Sequence, residues 1–561
     1  MIEKRRVRTI AWVSFSGVIV CLAGFTAIGR GSASAGQDAA AKAEPAAVSR
    51  GESLFLKYCA LCHGDRGDGA GKFAYLMNPR PRNFLRDDFK LSTTQNLVPS
   101  DDDLLRTISR GMPGSAMPPW GHLPNADLKA LVAHVRKLSV EGARARFDPQ
   151  VHDGKMSVEE RDRLVAERTS PGGPIIVPAE PVQDDVRWFR GRTLYLEGCA
   201  SCHGADGHPR PEAVKFDADG YPVPPRSFAA GIFKGGMEGS GLYCRILKGM
   251  KGTPMPSYET AFTADEIWDL VHYVQSLARA GAQDRAQLRQ GTLVAANTYG
   301  ALPDGPDAAA WDQARPLYVG LTPLWWEDER IEGLVVQALH NEKELALRFA
   351  WLDPTRDDRA VRHDEFRDAV AVQFSLESDP PFYMGSPGER GGVNIWMWKA
   401  DRQTNIDRGY QDVDAAFPQR AVDDYPYPAF GTEKAPAPEL SASAPITQHH
   451  PLYLTAWGAG NLVADPLLKT PVECLTARGP GTLAGKPANV QIVSGKAVYD
   501  RGVWSVQMQR TMDLPHEHGA ADERVFRRGD YIPVSFAIWN GASGDRDGRK
   551  SISIWQKLVI D

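Results

Sequence analysis

"CALCHGDRGDG" (residues 59–69) and "CASCHGADGHP" (199–209) decide how the first half of this chain is read. Each opens with Cys-x-x-Cys-His. Two thiols three positions apart on one helical turn can each add to a vinyl group of a porphyrin. The next residue, a His, then reaches the iron from the same side. The spacing therefore reads Cys59, Cys62, Cys199 and Cys202 as thioether links, and His63 and His203 as proximal iron ligands of two covalently bound haem c groups. A zinc site would need further Cys or His pairs, and a thioredoxin-like site would not need the His.

The sequence around the motifs is duplicated. "GESLFLKYCALCHGDRGDG" from Gly51 matches "GRTLYLEGCASCHGADGHP" from Gly191, "RGMPGSAMPPW" (110–120) matches "KGMKGTPMPSY" (248–258), and "LVAHVRKLS" (131–139) matches "LVHYVQSLA" (270–278). The offsets of 140, 138 and 139 define two copies of one unit of about 90 residues, too long and too few for a solenoid. Each copy reads as all-α. A short helix runs into the haem motif, a Pro- and Gly-rich middle follows, and a closing helix capped by Asn or Thr ends the unit. Both units resemble the class I cytochrome c family. That resemblance places the sixth iron ligand in the "GxxxxxMP" loop, at Met117 and Met255, with Met112 and Met250 as the alternatives. His/Met ligation fills both axial positions, raises the potential and suits single-electron transfer. Arg82 in "PRNF" and Arg226 in "PRSF" are candidates to pair with haem propionates.

At 561 residues the chain is long enough for several domains, and 42% apolar residues suit folded cores. Sixty-five Lys and Arg against 70 Asp and Glu offer no electrostatic case for nucleic acid. Lys4, Arg5, Arg6 and Arg8 precede an uncharged run from Thr9 to Gly29, which reads as an export signal. Ala33-Ser34-Ala35 is a credible cleavage site, yet the run approaches the ~20 residues that span a bilayer, so a retained membrane anchor is the alternative. Either way, the positive-inside rule puts the chain from about residue 36 outside the cytoplasm, in a periplasmic or equivalent compartment. Residues 1–35 are thus signal or anchor, 36–47 a flexible tether, 48–140 and 188–280 the two cytochrome units, and 141–187 a linker. Cys244 and Cys474 fall outside the haem motifs, either paired or as two buried thiols.

From about residue 285 the pattern changes to short runs rich in Val, Ile, Phe and Trp, separated by Gly, Asp, Asn and Pro. They include "EGLVVQAL" (332–339), "ELALRFAWL" (344–352), "DAVAVQFSL" (368–376), "VNIWMWKA" (393–400) and "PLYLTAW" (451–457). "NVQIVSGKAVYD" (489–500), "GVWSVQMQR" (502–510), "YIPVSFAIW" (531–539) and "SISIWQKLVI" (551–560) follow. Such strands predict a β-sandwich or barrel over 285–561, with 401–450 as an insertion. "DPPFYMGSPGERGG" (379–392), "EGLVVQALHNEKELALRFAWLDPTRDD" and the C-terminal "YIPVSFAIWNGASGDRDGRKSISIWQKLVID" resemble the haem-binding subunit of ethylbenzene dehydrogenase and related molybdenum enzymes. The resemblance implies a β-sandwich that holds a non-covalent haem b between a Met and a Lys. It carries over to Met384 and to Lys550, with Lys557 as the alternative.

Three candidate haem sites without a nucleophile or acid–base constellation predict a multihaem electron-transfer chain. By resemblance it serves an extracytoplasmic molybdopterin oxidoreductase of the DMSO reductase family, with a molybdopterin catalytic subunit, an iron–sulfur subunit, and a soluble or membrane cytochrome as the other electron partner. The alternatives are a ligand-binding or sensing β-domain coupled to the cytochromes, and a haem enzyme such as a peroxidase, which needs an open iron.

Overall fold

The computed structural model describes residues 49–561 apart from 87, 218–219, 381–391, 412–415, 420–468, 480, 488–489 and 514–522. The expected signal or anchor, the tether, the predicted strand 451–457 and Met384 lie outside the described residues. Among the described residues no helix is long and apolar enough to cross a membrane.

The duplication is visible as two helical units of the same build. In the first, α1 (Arg50–Tyr58) leads into α2 (Ala60–His63), followed by α3 (Asp101–Arg110) and α4 (Asn125–His152). After α5 (Val158–Thr169), the second repeats the order with α6 (Asp185–Gly198), α7 (Ala200–His203), α8 (Gly239–Lys248) and α9 (Ala264–Ser276). Its middle also carries a small ribbon, β1 (Lys215–Phe216) with β2 (Pro222–Val223). The first and last helices of each unit cross at Gly51 and Gly191, where a Cβ would collide with the carbonyls of Ala130 and Asp269. Backbone contact at that crossing is why both copies begin with Gly. Ion pairs tie the same helices, Arg50 to Asp127 at 2.7 Å and Arg187 to Asp269 at 2.9 Å.

Two details differ from expectation. Thr263 caps α9 in a capping box with Glu266, but α4 starts after Pro124, with no side-chain cap from Asn125. The segment 141–187 is not a plain linker. α4 runs on to His152 and α5 packs back on it, because Ala143, Phe147 and Val165 form a small buried core with Val140, Met156 and Leu164. The following chain lies against the first unit, Ile175 N–H donating to Thr93 O at 2.8 Å.

The C-terminal half is one large sheet folded into a sandwich. After α10 (Ala282–Arg285) come β3 (Thr292–Asn297), β4 (Leu317–Gly320), β5 (Thr322–Pro323), β6 (Gly333–His340), β7 (Glu344–Leu352), β8 (Ala369–Ser375) and β9 (Val393–Lys399). Next are α11 (Ala400–Arg408), β10 (Val472–Ala477), β11 (Ala484–Gly485), β12 (Ser494–Asp500), β13 (Val503–Thr511), β14 (Tyr531–Trp539), β15 (Ser551–Ile552) and β16 (Gln556–Ile560). The main path runs β11-β10-β9-β8-β14-β16-β3-β6-β7-β13-β12, and only the β16–β3 and β3–β6 pairs are parallel. The two halves of this path face each other across one core. Trp398 of β9 meets Trp504 of β13 at 5.0 Å and Trp351 of β7 at 6.3 Å.

The run 551–560, expected as one strand, is two. β14 pairs with β15 at Ala537–Ile552 and with β16 at Val534–Gln556, a register shift of one residue. At the break the Ser553 hydroxyl, not a carbonyl, accepts the Phe536 N–H at 2.9 Å, so the extra residue forms a bulge. β3 and β10 had no clear signal. β10 reads "VECLTA", in which Glu473 and Thr476 interrupt the apolar run.

Candidate haem sites

The two Cys-x-x-Cys-His segments have matching surroundings. Each is a single turn of helix closed by a Gly, Gly64 or Gly204. Burial pushes the Cys59 and Cys62 thiols up to about 12 and the Cys199 thiol up to about 11. Burial thus disfavours a thiolate at these positions and suits a neutral sulfur. None of the six described cysteines forms a disulfide, and Cys244 and Cys474 are buried thiols in separate units.

The histidine of each motif is held by a carbonyl. His63 Nδ1 lies 2.9 Å from the Arg82 carbonyl oxygen, and His203 Nδ1 lies 2.9 Å from that of Arg226. A carbonyl can only accept, so Nδ1 carries the proton and Nε2 keeps its lone pair for a metal. Burial drives the His63 imidazole down to about 4 and lowers that of His203, which keeps both rings neutral. A ring then locks each orientation: Phe84 stacks on His63 at 4.5 Å and Phe228 on His203 at 4.2 Å. A second phenylalanine continues each stack, Phe89 and Phe233. These four aromatic residues were not singled out from sequence. The signal was present as "PRNFLRDDFK" and "PRSFAAGIFK", which share the pattern Pro-Arg-x-Phe-x-x-x-x-Phe-Lys at an offset of 144.

The methionine loops also match. Met112 N–H donates to Met117 O at 3.1 Å, and Met250 N–H to Met255 O at 3.3 Å. A hydroxyl inside each loop ties it further, Ser115 to Met112 O and Thr253 to Met250 O. At the head of each loop Gly111 and Gly249 have φ of +72° and +73°, and a Cβ there would lie 2.6 Å from the Pro118 or Pro256 carbonyl carbon. Met117 and Met255 are half-buried, Met255 against the core of its unit.

A third site lies in the β-domain, on the outside of the sandwich. Alternation along β8, β9 and β14 sends Val370, Val372, Trp396, Trp398, Val534 and Ile538 into the sandwich core. The intervening Ala371, Ile395, Met397, Ala537 and Trp539 face the other way, onto a cavity of about 1330 Å³. This exceeds the ~300–1,000 Å³ of common ligand pockets and suits a large flat macrocycle. The opposite wall comes from the first cytochrome unit, through Phe73, Tyr75, Leu76 and Met77. One rim is cationic, with Arg367, Lys399, Arg402 and Lys469; Lys399 pairs with Glu473 at 2.7 Å and Arg402 with the same carboxylate at 2.5 Å.

Lys550 opens into this cavity from the residue before β15. Burial pushes its ammonium down to about 8, Asp547 partly opposing, and it lies 4.8 Å from the Trp539 ring centre. Lys557 is exposed on β16, away from the cavity. The donor set fits a haem: an apolar floor, a basic rim for propionates, and an amine that loses its proton readily.

Residues 308–551 match the ethylbenzene dehydrogenase family, residues 46–135 the family of cytochrome c oxidase, cbb3-type, subunit III, and residues 189–278 the cytochrome c family. The chain thus carries two cytochrome c-type domains ahead of an ethylbenzene dehydrogenase-type domain. Among curated relatives, the dimethylsulfide dehydrogenase subunit gamma of Rhodovulum sulfidophilum is 26% identical over 45% of this chain and 73% of its own length. The chlorate reductase subunit gamma of Ideonella dechloratans is 25% identical over 50% of this chain and 89% of its own. The cbb3-type cytochrome c oxidase subunit CcoP of an Azospirillum strain is 26% identical over 41% of this chain and 62% of its own.

Proposed function

We propose that this chain is a three-haem electron-transfer subunit, acting with an extracytoplasmic molybdopterin oxidoreductase. The observation that carries this reading is the large cavity between the β-domain and the first cytochrome unit, with Lys550 half-buried in its wall. Bound haem supplies reversible one-electron chemistry at iron. Cys59 and Cys62, and Cys199 and Cys202, anchor two haems covalently. His63 with Met117, and His203 with Met255, would hold the two irons and leave no open site on them for a substrate. Lys550, on this reading with Met384, holds haem b, and the basic rim of Lys399, Arg402 and Arg367 receives its propionates.

The kinship with gamma subunits supports a partner with a molybdopterin catalytic subunit and an iron–sulfur subunit. The N-terminal sequence supports an extracytoplasmic location by signal or anchor.

Acid–acetone extraction of the purified protein tests the cofactor content. Two haems should stay with the polypeptide and one should leave. Two retained and none extracted would remove the β-domain from the electron path. Mild-detergent purification from the native cell, with molybdenum analysis, tests the partner. Rapid carbon monoxide binding to the reduced protein, without ligand loss, would favour a haem enzyme instead.

A further inference from the structure

The two cytochrome units meet through reciprocal contacts between equivalent parts. Arg226 of the second unit donates from Nη2 to the Gly114 carbonyl, in the methionine loop of the first, at 2.8 Å. Arg82 of the first unit packs on Gly252, in the methionine loop of the second, where a Cβ would lie 3.2 Å from its Nη1. Gly114 and Gly252 both have positive φ, +78° and +69°; the Arg226 guanidinium fills the space at Gly114, and Asp88 and Arg82 share it at Gly252. Leu91, next to Lys90, lies against Gly235, next to Lys234, and Arg80 covers the Tyr221 ring at 4.7 Å.

The repeated Arg and Lys of the Pro-Arg-x-Phe motif thus converge from both sides. Each of Lys90 and Lys234 feels both arginines. Burial, then this like-charge crowding, lowers Lys90 to about 8 despite Asp217, and lowers Lys234 well below the usual lysine range. A half-buried cluster of cations is a ready place for further anionic groups beside the Asp88, Asp217 and Asp328 carboxylates at its edge. The same Arg82 and Arg226 hold His63 and His203 through their carbonyls, so the cluster borders both haem sites.

We propose that the junction of the two cytochrome units is one shared anion pocket, in which Arg82, Lys90, Arg226 and Lys234 take the propionate carboxylates of both haems and couple the two redox sites. This rests on the reading of two haem c groups. Through its contact with Gly114, Arg226 is a positioning residue for the first unit's methionine loop as well.

The test is spectroelectrochemical titration of the holoprotein with Arg226→Gln and, separately, Lys234→Gln. Removing one cation favours the oxidised iron, so both haem c waves should move to lower potential. The expected size is up to about tenfold in the reduction equilibrium, ~59 mV for one electron. Arg226→Lys should restore most of the shift. A shift confined to one wave, or none in either variant, would overturn the shared pocket. Exchanging chloride for phosphate at constant ionic strength should leave both waves in place; a common phosphate-dependent shift would give the pocket to a free anion instead. Mass spectrometry of the same samples separates the premises, because fewer than two covalent haems would fail the cytochrome reading itself.

Discussion

Lys550 and Lys557 belong to one C-terminal run, and only their surroundings separate them. Lys550 lies half-buried in the cavity wall, whereas Lys557 points to water. Lys550→Gln should abolish the extractable haem and leave both covalent haems; Lys557→Gln should change neither count, as pyridine haemochrome spectra before and after extraction will show. A second residue-scale effect comes from Asp368. Burial first, then the Asp353 carboxylate, raises it from 3.8 to about 7, although Gly541, Asp357 and Trp504 all donate to it. A raised acid binds a proton in the folded state that the unfolded state lacks, so its contribution is present below pH 3.8 and is lost as pH rises through about 7. Calorimetry should therefore find the β-domain less stable at pH 8 than at pH 5, by on the order of a few kcal/mol. Asp353→Asn should flatten that dependence.

At the scale of elements, β8, β9 and β14 bury both faces, one in the sandwich and one on the cavity. That is why "DAVAVQFSL" reads as a continuous apolar run rather than an alternating one. The helix crossings at Gly51 and Gly191 are equally demanding. Gly51→Ala drives a methyl into the Ala130 carbonyl, and overpacking of this kind costs ~1–3 kcal/mol. It should lower the melting midpoint of the first unit, followed at its haem absorbance, and leave the second unit unchanged. Gly191→Ala should do the converse through the Asp269 carbonyl.

At the scale of the whole molecule, the first cytochrome unit is part of the β-domain's site. Ile552 and Ile554 share a core with Leu54, Phe55 and Ala60. The Asn78 N–H donates to Leu324 O at 3.1 Å, and the Leu324 N–H donates to Lys550 O at 3.0 Å. Leu76 packs on Gly548 and closes the cavity beside Lys550. Leu76→Ala opens that wall, and a Leu-to-Ala cavity typically costs ~2–5 kcal/mol. Haem b transfer to excess apomyoglobin should then be at least about tenfold faster, with both covalent haems retained. The sequence by itself determined the two Cys-x-x-Cys-His sites, the duplication and the strand-rich second half, because each is written in local spacing or periodicity. It also held the paired Pro-Arg-x-Phe motifs, but not their meaning, since nothing local says that Arg226 reaches Gly114. The tertiary structure alone placed Lys550 inside and Lys557 outside, folded 141–175 back onto the first unit, and brought Tyr75, Leu76 and Met77 to the cavity that Lys550 lines. Burial and contact between segments far apart in the chain are properties of packing, and no window of residues carries them.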